Sequence, residues 1–158
     1  MNEQAPRRQA FQAPPGTRDV LPPESDRWIR LLSTVHGRMH RAGYGLIHGP
    51  TFEDIGVFQR IGEGTDVVTK EMYDFGDKGD RPIALRPEST ASVCRAFVQH
   101  RPATPWKVWY ASAHFRYERA QAGRYRQHHQ IGAEVLGTED PDVDVEVMAL
   151  AWGMLRDL

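Results

Sequence analysis

The sequence predicts a chain of the α+β class, in which antiparallel strand pairs are flanked by amphipathic helices. Three observations carry that prediction. Residues 114–136 read as two strands joined by a short polar loop, and residues 72–86 read as a second, shorter strand pair. Apolar residues recur at three- and four-residue spacing in 25–42, 87–100 and 138–158, the period of a helix with one buried face. Proline and glycine fall between these segments, where chain direction has to change.

The chain has 158 residues, which suits one domain or part of a larger one, and its 40% hydrophobic content can support a core. The formal net charge of -1 gives no global affinity for nucleic acid, so any such affinity has to come from a local patch. Cys94 is the sole cysteine, which excludes an intramolecular disulfide and a multi-cysteine zinc site. It reads as a reduced thiol, as expected in the cytoplasm. No apolar run reaches the length of a membrane span, and the N-terminus has no apolar signal region.

Residues 1–13 are polar and aperiodic and are expected to be flexible; 14–158 then form the folded unit. Pro14-Pro15 and Pro22-Pro23 bracket a short extended entry segment. A helix is expected over Ser25–Ala42, with Trp28, Leu31, Leu32, Val35 and Met39 on its buried face and Gly43 as its stop. His36 and His40 lie one turn apart, but no third ligand is evident and no metal site is expected. Tyr44–Asp54 reads as a strand ending at Pro50. Val57–Glu71, with Gly62 and Gly64, reads as a mobile loop; it lacks the Gly-Lys-Ser/Thr ending of a phosphate loop. In the pair over 72–86 the turn is placed at Asp77–Asp80, with Gly79 supplying the turn chemistry.

Pro87 suits the first turn of the next helix, whose stripe is Val93, Cys94, Phe97 and Val98. Glu88 and Thr90 then lie in that first turn, where a carboxylate favours the helix dipole. Lys107–Ser112 is a strand rich in aromatic and β-branched residues. Asp140-Pro141-Asp142 starts the last helix, with Val143, Val147, Leu150, Ala151, Met154 and Leu155 as its buried stripe. Asp142, Asp144 and Glu146 are read as helix-start charge rather than as a metal cluster.

The candidate site is the hairpin with strands at His114–Arg119 and Tyr125–Leu136. Its loop is Ala120-Gln121-Ala122-Gly123. Alternation puts Ile131, Ala133 and Val135 on the core face and His128, Gln130, Gly132 and Glu134 on the other, while Arg116 and Glu118 share a face. A solvated face is the plain reading of such a pattern. Against it, Gly132 leaves space beside the backbone between Gln130 and Glu134. Arg116, Arg119, Arg124 and Arg126 also crowd a short span against Glu118 alone. Guanidinium groups suit phosphate oxygens, which they grip bidentately, so this face offers acceptors for an amine and cations for a phosphate.

The run Arg116-x-Glu118-Arg119, then Gly123-Arg124-Tyr125-Arg126-Gln127-x-His129-Gln130, resembles motif 2 of the class II aminoacyl-tRNA synthetases in the form used by the histidyl-tRNA synthetase family. Gly16-x-Arg18-Asp19-x-Leu21-Pro22, a motif 1-like helix and strand ending at Pro50, and Arg86-Pro87-Glu88-Ser89-Thr90 extend the resemblance from about Pro15 onward. It implies a class II catalytic fold, a mostly antiparallel sheet flanked by helices. It implies activation of histidine with ATP and Mg²⁺ to histidyl-adenylate, then transfer to tRNA(His), in a homodimer formed through motif 1. It also implies roles. Glu88, Thr90 and Gln130 would hold the ammonium of histidine, with Ser89 in the pocket wall, and Glu134 would face the imidazole. Arg116 would take the α-phosphate and substrate carboxylate, Glu118 the adenine amino group and Arg124 the outer phosphates.

Two positions depart from the family pattern. Ser89 stands where glycine is usual, and His128 where a phenylalanine commonly stacks on adenine. Motif 3, its arginine, the later histidine-specific segment and an anticodon domain are not in the sequence, so the chain is expected to be the N-terminal portion of a catalytic domain. Two other readings stay open. One is the regulatory subunit of ATP phosphoribosyltransferase, which resembles the same core. The other is an RNA-binding module using the hairpin arginines, against which the acids on the same face count.

Overall fold

The computed structural model describes residues 11–62, 70–119, 121 and 123–158. The flexibility expected of residues 1–10, the expected loop at Gly64 and the hairpin positions Ala120 and Ala122 lie outside the described residues.

Helix α1 spans Glu24–Arg41. Glu24 and Asp26 sit in its first turn and Arg38, His40 and Arg41 in its last, matching both ends of the helix dipole. It stops as expected: Gly43 takes φ +81°, Gly43 N–H bonds to His40 O (3.1 Å) and Tyr44 N–H to Met39 O (2.9 Å), a Schellman closure. The single strand expected next is two. Strand β1 (Gly45–Leu46) and strand β2 (Phe52–Asp54) belong to different sheets. Pro50 lies between them and has no N–H to give a ladder.

Val57 is not in a loop. Helix α2 occupies Ile55–Gly62 and buries Phe58 to 2% exposure. Asp54 Oδ1 accepts from Gly56 N–H (2.8 Å) at its start. The glycines drew the sequence reading toward a loop, but Ile55, Val57 and Phe58 find an apolar surface in Ala84 and Ala91. Strands β3 (Asp74–Gly76) and β4 (Pro82–Leu85) pair antiparallel as expected, and β2 lies on the other edge of β4. In their turn the positive φ falls on Asp80 (56°) rather than Gly79, while Asp77 Oδ1 accepts from Gly79 N–H (2.7 Å) and Arg81 N–H (3.0 Å).

The largest departure is the hairpin. Strand β5 runs Trp106–Phe115 and strand β6 Gln127–Leu136, paired over their full length from Trp106↔Leu136 to Phe115↔Gln127. The separate aromatic strand and the first hairpin strand are therefore one element. Arg116–Arg119 lie beyond its end, and Tyr125 precedes β6. Strand β1 pairs parallel with the other edge of β5. Helix α3 (Thr90–His100) and helix α4 (Asp142–Asp157) complete the fold.

One face of β1-β5-β6 presents Trp109, Ile131, Ala133 and Val135 to Val35 and Met39 of α1 and to Leu150 of α4. Its other face packs Val108 and Tyr110 against Val93 of α3. Three positions expected in buried stripes are exposed: Val98 at 71%, Leu155 at 72%, and Ala151. In α3 the covered side carries Ala91, Ser92, Val93 and Ala96 instead, because the sheet meets that helix near its start. The entry segment is tied to the hairpin: Gly16 O accepts from Arg126 N–H (2.8 Å) and Gln127 N–H (3.1 Å). Among the described residues no helix is long and apolar enough to cross a membrane.

Candidate active site

Register builds the floor of the site. Glu134 pairs with Val108, Gly132 with Tyr110, Gln130 with Ser112 and His128 with His114. Directly opposed residues share a face, so these eight side-chain positions form one surface. The start of α3 lies across one end of it, and the Arg116–Arg126 connection closes the other.

At the α3 end, Thr90 Oγ1 donates to Glu134 Oε1 at 2.7 Å, joining residues far apart in sequence. Glu88 caps the helix: its carboxylate accepts from Thr90 N–H (2.6 Å) and Ala91 N–H (2.9 Å). The capping role weighed for Glu88 is thus realised, though from just before the helix rather than within its first turn. A carboxylate has about four lone-pair positions, so capacity remains on both oxygens. The space expected above Gly132 is taken. A Cβ on Gly132 would collide with the ring of Tyr110, which lies across the glycine backbone. Burial, with the Glu134 carboxylate second, pushes the Tyr110 phenol up to about 12. It stays a neutral O–H beside that acid.

At the other end, Arg116 Nε donates to Pro87 O (2.9 Å), which holds its guanidinium against the segment leading to Glu88. Among the described residues it has no acid within ion-pair distance, which leaves its charge for a ligand. Arg124 is more exposed, with Nε 3.1 Å from Glu118 Oε2. Arg126 points elsewhere: its guanidinium covers the Tyr117 ring at 4.1 Å and donates to Glu118 O (3.2 Å). This arginine is structural. Sequence reasoning had grouped it with the others.

Between the two ends lies a histidine that the sequence reading did not single out. His114 is fully buried, and its Nε2 is 2.7 Å from Ser89 Oγ. Burial, then the nearby His128, Arg86 and Arg116, lowers its proton affinity to about 4. The imidazole is neutral near pH 7. Its ring meets the His128 ring at 5.6 Å and 63°, and the Tyr110 ring at 6.2 Å. Burial and Arg116 lower the His128 affinity as well. Gln130 stands nearby, on an exposed stretch of β6.

Arg86 was also missed. It is buried and donates to Ala113 O (2.8 Å), Gly49 O (3.0 Å) and Pro50 O (3.1 Å), pinning the end of β5 to the turn after β1. Tyr110 had one usable signal, a bulky residue opposite a strand glycine, but only for a reader who already had the register. An open groove of about 780 Å³ lies between α2 and α3, lined by Asp54, Arg60, Cys94 and Val98; it is not over this floor. Among the described residues no group of three His, Cys, Asp or Glu could hold a metal ion.

The floor thus carries acids at one end and arginines at the other, under a helix start. A family profile described as histidyl-tRNA synthetase matches residues 16–158, and the chain belongs to that family. It is 50% identical over 152 residues to a histidine–tRNA ligase of Mycobacterium marinum, covering 94% of this chain and 36% of that protein. Among solved structures, apo histidyl-tRNA synthetase of S. aureus superposes with TM-score 0.79 at 36% identity, over 94% of this chain and 35% of that one. A Bacillus halodurans structure titled ATP phosphoribosyltransferase regulatory subunit/histidyl-tRNA synthetase superposes with TM-score 0.77 at 26% identity, over 92% and 38%. The chain spans about a third of the length of the curated relatives it matches.

Proposed function

We propose that this chain is the histidine- and ATP-binding portion of a histidine–tRNA ligase, the N-terminal part of a catalytic domain over residues 14–158. The observation that carries the reading is that one strand face joins the Thr90–Glu134 pair to the Arg116 guanidinium, which has no acid partner among the described residues. An amino acid and a phosphate can lie end to end along it.

The free lone pairs of Glu88, with Thr90 Oγ1 and Gln130, take the substrate ammonium. Glu134 accepts from the imidazole N–H; an apolar ring of similar size would leave that carboxylate unpaired, which costs about 1–3 kcal/mol. The histidine carboxylate attacks the α-phosphorus, and pyrophosphate leaves. Negative charge building on the phosphoryl oxygens is met by the fixed Arg116, which needs no reorganisation at that moment. Glu118 accepts from the adenine amino group, His128 lies against the ring, and Arg124 meets the outer phosphates. Mg²⁺ enters as part of the ATP substrate. The activated histidyl group passes to the terminal ribose of tRNA(His), in a cytoplasmic homodimer joined through the α1–β1 unit.

The test is amino-acid-dependent ATP–pyrophosphate exchange by the intact protein. Exchange with histidine and not with other amino acids is the expected result. The Bacillus halodurans neighbour favours one second reading, a regulatory subunit. Histidine binding without any exchange would select it.

A further inference from the structure

We propose that Ser89, His114 and His128 form one polar link through the floor, with His114 the positioning residue that couples the amino-acid end to the nucleotide end. The names of the two ends rest on the proposed function; the link itself rests on geometry.

Ser89 is 5% exposed and His114 0%, and their 2.7 Å contact is shut away from water. Ser89 lies between Glu88, which caps α3, and Thr90, which binds Glu134. Whatever fixes Ser89 therefore fixes both acids of the amino-acid end. From the other side of His114, ring contacts run to His128 at 5.6 Å and to Tyr110 at 6.2 Å. Tyr110 in turn fills the space over Gly132. A rigid row of rings thus runs along the floor, anchored at its middle by one hydrogen bond to the start of α3.

Ser89 and His128 both meet this one side chain, the first through a hydrogen bond and the second through a ring contact. His114 Nδ1 is buried without a hydrogen-bond partner. With glycine at 89, Nε2 would lose its partner too, leaving only the Gln130 side chain to serve the buried imidazole. Burial first, then His128, Arg86 and Arg116, keeps His114 neutral, so the link acts as a fixed strut rather than as a proton relay.

The test uses S89G, H114L, the S89G/H114L double variant and H114Q in the intact protein, with KM for histidine and for ATP measured separately by exchange. Each of S89G and H114L strands a buried polar group and is expected to raise both KM values roughly 5- to 30-fold. The double variant replaces both partners by apolar groups and should return to within about threefold of the parent, a strongly non-additive cycle. H114Q keeps a nitrogen or oxygen facing Ser89 and should also lie within about threefold; should H114L not fold, it and S89G decide the matter. Additive effects, or a change in the histidine KM alone, would overturn the link.

Nitrogen-15 spectra of the histidine rings test the link independently of activity. S89G should shift the resonances of His128 as well as His114, and a shift confined to His114 overturns the proposal. A parent protein without exchange but with the coupled ring shifts would remove the functional reading and leave the link standing.

Discussion

At the Glu134 end of the β5–β6 floor the polar groups are already holding one another: Thr90 bonds Glu134, and Glu88 closes the start of α3. At the Arg116 end the charge stands ready: a carbonyl at Pro87 fixes Arg116 without neutralising it, and Arg124 makes a partly solvated pair with Glu118. On the proposed function, the contrast follows from what each end has to recognise. An amino acid is small and must be told apart from near neighbours, which favours a pocket set before binding. A triphosphate brings its own charge, and a guanidinium without an acid at hand loses no partner on meeting it.

Removing the central cation should have the largest effect. Arg116→Ala is expected to lower exchange by about 10²–10³-fold with little change in melting temperature, because the side chain makes one structural hydrogen bond. A loss of fold along with activity would mean that this end is as prebuilt as the other. Gly132→Val attacks the prebuilt end by driving out the Tyr110 ring. It should cost about 1–3 kcal/mol in denaturant unfolding and raise the histidine KM more than the ATP KM. Glu134→Gln keeps an oxygen for the Thr90 hydroxyl but withdraws the charge, and a rise of roughly tenfold in the histidine KM is expected, with ATP affected less.

Acid should act through the middle. The folded protein holds His114 near 4 against a reference of 6.5. Between those values the unfolded chain takes up the proton and the folded one does not, so stability falls as pH drops from about 6.5 to 4. Melting temperatures followed over that window should decline, and H114Q should flatten the slope. The smallest effect belongs to Arg124→Ala: its side chain is 63% exposed, so stability should move by about 0.5 kcal/mol or less, and only the ATP KM should rise, by a few-fold.

Much of this was legible in the sequence. Period-two alternation separated Ile131, Ala133 and Val135 from Gln130 and Glu134, and the structure keeps both faces. Gly43 announced the end of α1 by its freedom at positive φ. Helix α2 was not legible, since Gly62 and Gly64 outweighed a short apolar pattern that only the surface of Ala84 and Ala91 makes worth burying. Treating Lys107–Ser112 and His114–Arg119 as separate strands hid the register, and with it the pairing of Tyr110 with Gly132.

By itself, then, the sequence determined the chain's own local preferences: which residues alternate, which recur every third or fourth place, where a backbone can stop, and which motifs name the family. Those preferences are set by neighbours a few bonds away. Only the tertiary structure decided that Tyr110 fills the space over Gly132, that Thr90 meets Glu134, and that His114 binds Ser89 across 25 residues of chain. Such contacts depend on strand register and on the docking of α3, and a slip of one residue in a strand would place its side chains on the opposite face.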